Sequence, residues 1–401
     1  MLRRGHKKSR AGCVQCKKRH VKCDERRPRC VLCTMSNREC TYALESEARA
    51  PPADSGSASS TRASFCSSSP FPAQSLAGTL DDRVNLQHVE LITHLITDSN
   101  LLSLGDGVEP YHITIALALR RGLESPYLLY ELLAFAARHL AYLNRTSPER
   151  SSNYARQAIN LQTQAIALFN AEKVIVDKSN CVAVCLFSVV LGHHLLTDTL
   201  SHREGGLDGF VSRYVQCLET HRGVFKIAME GWELLTETEL GPVLSRSRQF
   251  TSSEPKGTEC DQLKNLVIGS ANLNPSEKDA CLRAIKHLQL GFDAFADLEL
   301  RNMRYQMLFL WTILVPPEFT NMLAIKRPEA LVVLAYYALL LCYGRHIWQV
   351  GDAGWYILEL TKGYLGDGSG WNAWIQGVLP TVVGRGNSRC DFYGMEMRYY
   401  L

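Results

Sequence analysis

The chain has 401 residues, 46% of them hydrophobic, with 44 Lys and Arg against 40 Asp and Glu, a net charge of +4 with histidine neutral. That apolar content is enough for a proper core, and the length leaves room for one large domain beside a small one. Met1 to Arg10 is basic with no apolar stretch, so a signal peptide is not expected. The total charge hides an uneven distribution. Residues 1–40 carry thirteen Lys or Arg and three acidic residues, net +10, while the remainder carries 31 and 37, net −6. Such asymmetry is an electrostatic footprint for nucleic acid.

The basic head contains Cys13, Cys16, Cys23, Cys30, Cys33 and Cys40 in the pattern C-x2-C-x6-C-x6-C-x2-C-x6-C, whose second half repeats the first. Close cysteine pairs at this density signal metal ligands rather than disulfides in an intracellular chain. A structural zinc takes four ligands, so six thiolates are two short of what two zincs need, and two bridging sulfurs close the gap. No histidine stands at a ligand interval, which excludes RING-type and two-histidine fingers. A module this short cannot bury a core, so metal binding supplies its folding free energy.

The filling residues agree. Lys17-Lys18-Arg19-His20-Val21-Lys22 lies between the second and third cysteines, and Arg27-Pro28-Arg29 precedes the fourth. Spacing and filling together resemble the fungal binuclear zinc cluster (Zn2Cys6), a DNA-binding module of transcription factors. The resemblance implies two Zn2+ ions, with Cys13, Cys16, Cys23 and Cys30 around one, and Cys30, Cys33, Cys40 and Cys13 around the other. It implies two short helices, a nuclear location, and regulation of RNA polymerase II transcription in a fungus. It also implies that the end of the first helix enters the major groove of double-stranded DNA and reads a short CG-rich half-site.

Lys17, Lys18, Arg19, His20 and Lys22 are the expected DNA contacts, with Arg19 and Lys18 first for base edges and His20 third. Many members of the family place a lysine where this chain has His20. A ring nitrogen is not an ammonium, so the half-site is not to be copied from them. Lys7, Lys8 and Arg10, with Arg3 and Arg4, suit phosphate contacts or a nuclear import signal.

Residues 1–12 read as a basic arm, 13–42 as the cluster, and 43–79 as a disordered linker rich in Ser, Ala and Pro. There is no leucine heptad after the cluster, which leaves a homodimer open. Residues 80–380 read as all-α, with ten or more helices. Leu86, Val89, Ile92 and Ile96 mark one apolar face, Leu129, Leu132, Leu133, Ala136 and Leu140 another, and Ala158, Leu161, Ala165 and Leu168 a third; Ala284 and Leu288 belong to a further helix. Breaks fall at Gly205-Gly206, Gly241-Pro242, Asn274-Pro275 and Pro316-Pro317, with Ser276 expected to cap the helix that follows Pro275. Val182 to Leu196 and Ala330 to Cys342 are apolar but short of a membrane span, and read as buried helices. Residues 381–401 read as a divergent tail.

Val89-Glu90-Leu91-Ile92-Thr93-His94, the stretch from Ser125 to Ala141, Leu218-Glu219-Thr220-His221-Arg222-Gly223, Gly354-Trp355 and Trp371-x2-Trp374 resemble the fungal transcription-factor regulatory domain, most of all its sterol uptake control type. That resemblance implies a hydrophobic ligand such as a sterol, and contact with the transcription machinery. Phe187, Leu191, Trp311, Tyr336, Leu340 and Trp355 are the residues for such a cavity, against the default of core packing. Cys181 and Cys185 read as core cysteines, and His139, His193, His194 and His221 as scattered structural or surface residues. No HExxH, P-loop, GxSxG or dinucleotide fingerprint is present, so no catalytic residue is assigned and an enzyme is not expected. The competing reading is a non-DNA-binding helical scaffold or ligand sensor with a vestigial cluster; another candidate role is control of a biosynthetic gene cluster.

Overall fold

The structure, a computed structural model, describes residues 12–19, 21, 23–27, 29–36, 39–42, 85–101 and 111–366, with backbone alone at 111–114 and 301. The expected arm through residue 11, the linker and the tail lie outside the described residues. The chain divides into two units, Met1–Leu80 and Asp81–Leu401. Among the described residues every regular element is a helix.

In the first unit, α1 (Val14–Lys18) and α2 (Val31–Met35) are single turns. Each follows a cysteine at its N-cap, Cys13 and Cys30, in extended backbone conformation. Isolated turns of this length do not hold themselves. Here Cys16 N–H bonds the Cys13 sulfur at 3.4 Å, and the sulfurs lie at the centre.

The second unit runs α3 (Leu86–Thr97), α4 (Tyr111–Glu124), α5 (Pro126–Leu143), α6 (Pro148–Ala171), α7 (Cys181–Ser201), α8 (Gly206–Glu230), α9 (Trp232–Thr236), α10 (Gly241–Ser252), α11 (Asp261–Gly269) and α12 (Pro275–Ala296). A 3-10 turn (Leu298–Met303) leads to α13 (Gln306–Leu314), α14 (Pro317–Ala324), α15 (Pro328–Tyr343) and α16 (Ala353–Leu365). Proline opens α5, α6, α12, α14 and α15, where its missing N–H costs nothing and its fixed φ suits the first turn. Gly205 and Gly206 turn the chain between α7 and α8 at φ of 84° and 57°, a region that favours glycine.

Two apolar cores result. One is built from α3 to α7 with the end of α8 and α9; the other from the end of α7 through α16. Helix α7 threads both: Phe187 and Leu191 lie in the first, Leu196 and Leu200 in the second. At 21 residues α7 is long and apolar enough to span a bilayer, longer than its apolar run suggests. Its polar residues explain why it is a core helix. His193 and His194 are buried and bonded to Gln349 (2.7 Å) and Glu131 (2.9 Å), and Thr197 and Thr199 bond backbone carbonyls one turn back. A lipid-facing helix would leave such groups without these protein partners.

Three expectations need correction. The face of α3 that packs inward carries Leu91 and Leu95, while Leu86, Val89 and Ile96 are exposed. The cap of α12 is Asn274, not Ser276: its side chain accepts Glu277 N–H at 2.9 Å, and Glu277 returns a bond to Asn274 N–H at 2.9 Å, a capping box. Pro275 takes the first helical position, which places the cap one residue before it. Lastly, the proposed cavity residues do not converge. Phe187 and Leu191 sit in one core, Trp311, Tyr336 and Leu340 in the other, and Trp355 is exposed.

Candidate metal centre and DNA-facing helix

The two halves of the first unit are related by a shift of 17 residues, which maps Cys13, Cys16 and Cys23 onto Cys30, Cys33 and Cys40, and α1 onto α2. Five of the six cysteines are buried and Cys40 is partly so; none forms a disulfide. Their sulfurs gather into two overlapping groups of four: Cys13, Cys16, Cys23 and Cys30, and Cys13, Cys30, Cys33 and Cys40. Cys13 to Cys30, Cys13 to Cys33 and Cys16 to Cys30 are each 3.7 Å apart. A tetrahedron with Zn–S bonds of about 2.3 Å has an S···S edge of about 3.8 Å. The donor set therefore fits two zinc ions that share two sulfurs.

Electrostatics point the same way. Burial pushes the Cys13 thiol up to about 12 and raises Cys16 and Cys30 as well. Buried thiolates at this density need a cation beside them. At the two outer positions the backbone helps. Cys23 is buried, yet N–H groups of Cys13 (3.5 Å) and Glu25 (3.4 Å) point at its sulfur and bring it down to about 7. Cys40 is lowered by the N–H of Cys30 at 3.2 Å.

The halves are also stitched crosswise. Val14 N–H, at the start of α1, bonds the carbonyl of Thr41 (2.8 Å); Val31 N–H, at the start of α2, bonds the Asp24 carboxylate (3.0 Å). Under the 17-residue shift these are equivalent contacts. Tyr42 completes the frame: its hydroxyl donates to Arg26 carbonyl at 2.8 Å and lies 3.9 Å from the Cys23 sulfur, with the Arg27 guanidinium 5.1 Å above its ring. Spacing of the cysteines gave no signal for Asp24 or Tyr42, which act only once the halves meet.

Lys17 and Lys18 fill the last turn of α1, and Arg19 is its C-cap; all three are exposed. The negative end of the helix dipole favours cations there. Among the described residues no carboxylate pairs with any of the three, whereas Arg26 pairs with Asp24 at 3.9 Å. The equivalent positions at the end of α2 hold Thr34, Met35 and Ser36, so the positive face is one-sided. His20, Lys22, Arg10, Lys7 and Lys8 lie outside the described residues.

This is a binuclear metal–thiolate module with a basic helix end. Residues 11–49 match the family model of the fungal Zn(2)-Cys(6) binuclear cluster domain. Over 341 residues the chain is 24% identical to the Zn(2)-C6 fungal-type transcription factor afumD of Aspergillus fumigatus, covering 82% of this chain and 84% of that protein. It is 56% identical over 43 residues to sterol uptake control protein 2 of Candida albicans, which is 11% of this chain and 6% of that protein. It is 55% identical over 40 residues to a Zn(2)-C6 fungal-type transcription factor of Gibberella zeae, 10% of this chain and 8% of that protein.

With a Zn(2)-Cys(6) cluster domain at residues 11–49, the chain is a DNA-binding transcription regulator with two zinc ions as its cofactor. The relatives from Aspergillus fumigatus and Gibberella zeae are both transcription factors.

Proposed function

We propose that Cys13, Cys16, Cys23, Cys30, Cys33 and Cys40 hold the two zinc ions, with Cys13 and Cys30 shared, and that the end of α1 docks in the major groove in the nucleus. Arg19 and Lys18 read base edges, joined by His20. Lys17, Lys22, Lys7, Lys8 and Arg10 hold phosphates. The helical unit regulates RNA polymerase II transcription or recruits its machinery. The observation that carries this reading is the pair of overlapping sulfur tetrads beside three exposed cations that no carboxylate among the described residues neutralises. A salt-titrated binding assay tests it. A steep loss of affinity with salt, abolished altogether by chelation of zinc, is expected. A flat salt response would overturn it in favour of a helical scaffold.

The sterol-responsive reading rests on resemblance in the body, since the match to the sterol uptake control protein spans only 43 residues, 11% of this chain. A groove of about 690 Å³ beside α3 and α6 is lined by Gln87, Glu90, Arg150, Asn153 and Gln157, a polar wall that suits a sterol poorly. Control of a biosynthetic gene cluster is the reading that needs no ligand. Genome-wide occupancy mapping separates the two by the genes bound. A thermal shift with sterols, at saturating zinc, tests the ligand directly.

A further inference from the structure

His94 lies on α3, Asp98 follows one turn later at the C-cap of that helix, and His139 faces them from α5. The His94 Nε2 and His139 Nδ1 atoms are 3.1 Å apart, the Asp98 Oδ2 is 4.0 Å from His139 Nδ1, and one donor atom from each of the three lies within 4.8 Å of the others. His139 is therefore not the scattered structural or surface residue that its place in the sequence suggests.

The surroundings orient these groups. Asp98 Oδ1 accepts the N–H of Asn100 at 2.9 Å, so Oδ2 is the oxygen nearest His139. The His139 ring is 2% exposed and lies tilted against Trp348, centroids 4.5 Å apart, and Trp348 donates to the carbonyl of Leu101 at 3.0 Å. Burial lowers both imidazoles, His139 to about 4, which keeps them in the neutral form that binds metals. The carboxylate meanwhile stands at the negative end of the α3 dipole, where a cation is favoured. Among the described residues His139 is its only ion-pair partner within 4 Å, and it is uncharged near neutral pH.

We propose that His94, Asp98 and His139 bind a divalent transition-metal ion, Zn2+ foremost, as a third metal of the chain that clamps α3 to α5. Two imidazoles and a carboxylate suit zinc and its neighbours rather than calcium or magnesium. Tetrahedral zinc with N ligands at about 2.0–2.1 Å separates two nitrogens by about 3.3 Å, close to the observed spacing, and Asp98 closes by a small side-chain movement. Water takes the fourth position.

The test uses the full chain, equilibrated with Zn2+ and desalted, with zinc counted per polypeptide. Three equivalents are expected in the wild type. Two are expected in His94→Gln and Asp98→Asn, both folded by thermal melt and still binding DNA. Two in the wild type, or three in either folded variant, overturns the proposal and leaves a plain imidazole–imidazole hydrogen bond. Zinc-edge absorption on the wild type decides independently of any variant. A shell of N/O scatterers at about 2.0–2.1 Å beside the sulfur shell at about 2.3 Å is expected, and sulfur alone overturns it.

Discussion

Lys17, Lys18 and Arg19 offer a way to separate affinity from readout on a single helix turn. All three are exposed at the end of α1 and, among the described residues, have no carboxylate partner, so alanine at each removes a charge without breaking an ion pair seen there. A phosphate contact contributes about 0.9 to the slope of log affinity against log salt, so losing one makes a fourfold rise in salt about 3.5-fold less damaging. Lys17→Ala is expected to show that change and to bind the same motif as the wild type. Arg19→Ala is expected to behave differently: a loss of about 1–3 kcal/mol in specific binding and a relaxed preference at one position of the site. Binding selection on randomised duplexes, together with salt titrations by fluorescence anisotropy, reads both quantities. An unchanged motif for Arg19→Ala would refute the assignment of base readout to this helix end.

Cys13→Ser strikes a sulfur common to both tetrads and is expected to lower zinc from two ions to none in the cluster and abolish DNA binding; a variant that keeps both ions by metal analysis would sink the shared-ligand arrangement. At Gly192 a Cβ would stand 2.1 Å from the His221 ring, which is held by Thr312 Oγ1 at 3.1 Å. Gly192→Ala is therefore expected to lose about 1–2 kcal/mol in urea denaturation, because overpacking exceeds the roughly 1 kcal/mol gained in helix propensity. Stabilisation by that change would contradict the packing. Burial, with His193 adding to it, lowers His221 to about 3. The unfolded chain then binds more protons below pH of about 6.5, so stability falls as pH drops from there toward the folded value. His221→Gln is expected to flatten that fall by up to about 1.4 kcal/mol per pH unit, and equal slopes in denaturation midpoints from pH 7 to 5 would refute it.

The cluster is legible from sequence because its information is local: six cysteines within 28 positions fix which sulfurs meet. Helix starts are legible for a similar reason, since proline marks them. Facing is less so. On α3 the residues at Leu86, Val89 and Ile96 have the right period for a buried stripe, yet the neighbouring stripe through Leu91 and Leu95 is buried, because periodicity counts apolar residues and not the surface they meet. His94 and His139 are 45 residues apart. Only α3 packed on α5 brings them together, and the i,i+4 pair of His94 and Asp98 is too common a spacing to signal a site by itself. The length of α7 was hidden in the same way: its polar residues interrupt the apolar run but find partners on α5 and near α16.

The crosswise bonds from Val14 to Thr41 and from Val31 to Asp24 have a consequence for how the DNA reader responds to zinc supply. Each helix borrows its first acceptor from the opposite half, and each metal tetrad borrows one sulfur. A half-loaded module thus has one complete tetrad, while the other half keeps two cysteines without metal and a helix anchored by its crosswise bond alone. Such a state is penalised twice, so occupancy of one ion favours occupancy of the other. The reader behaves as an assembly that is whole or absent, and its population changes over a narrower span of free zinc than two independent sites would allow.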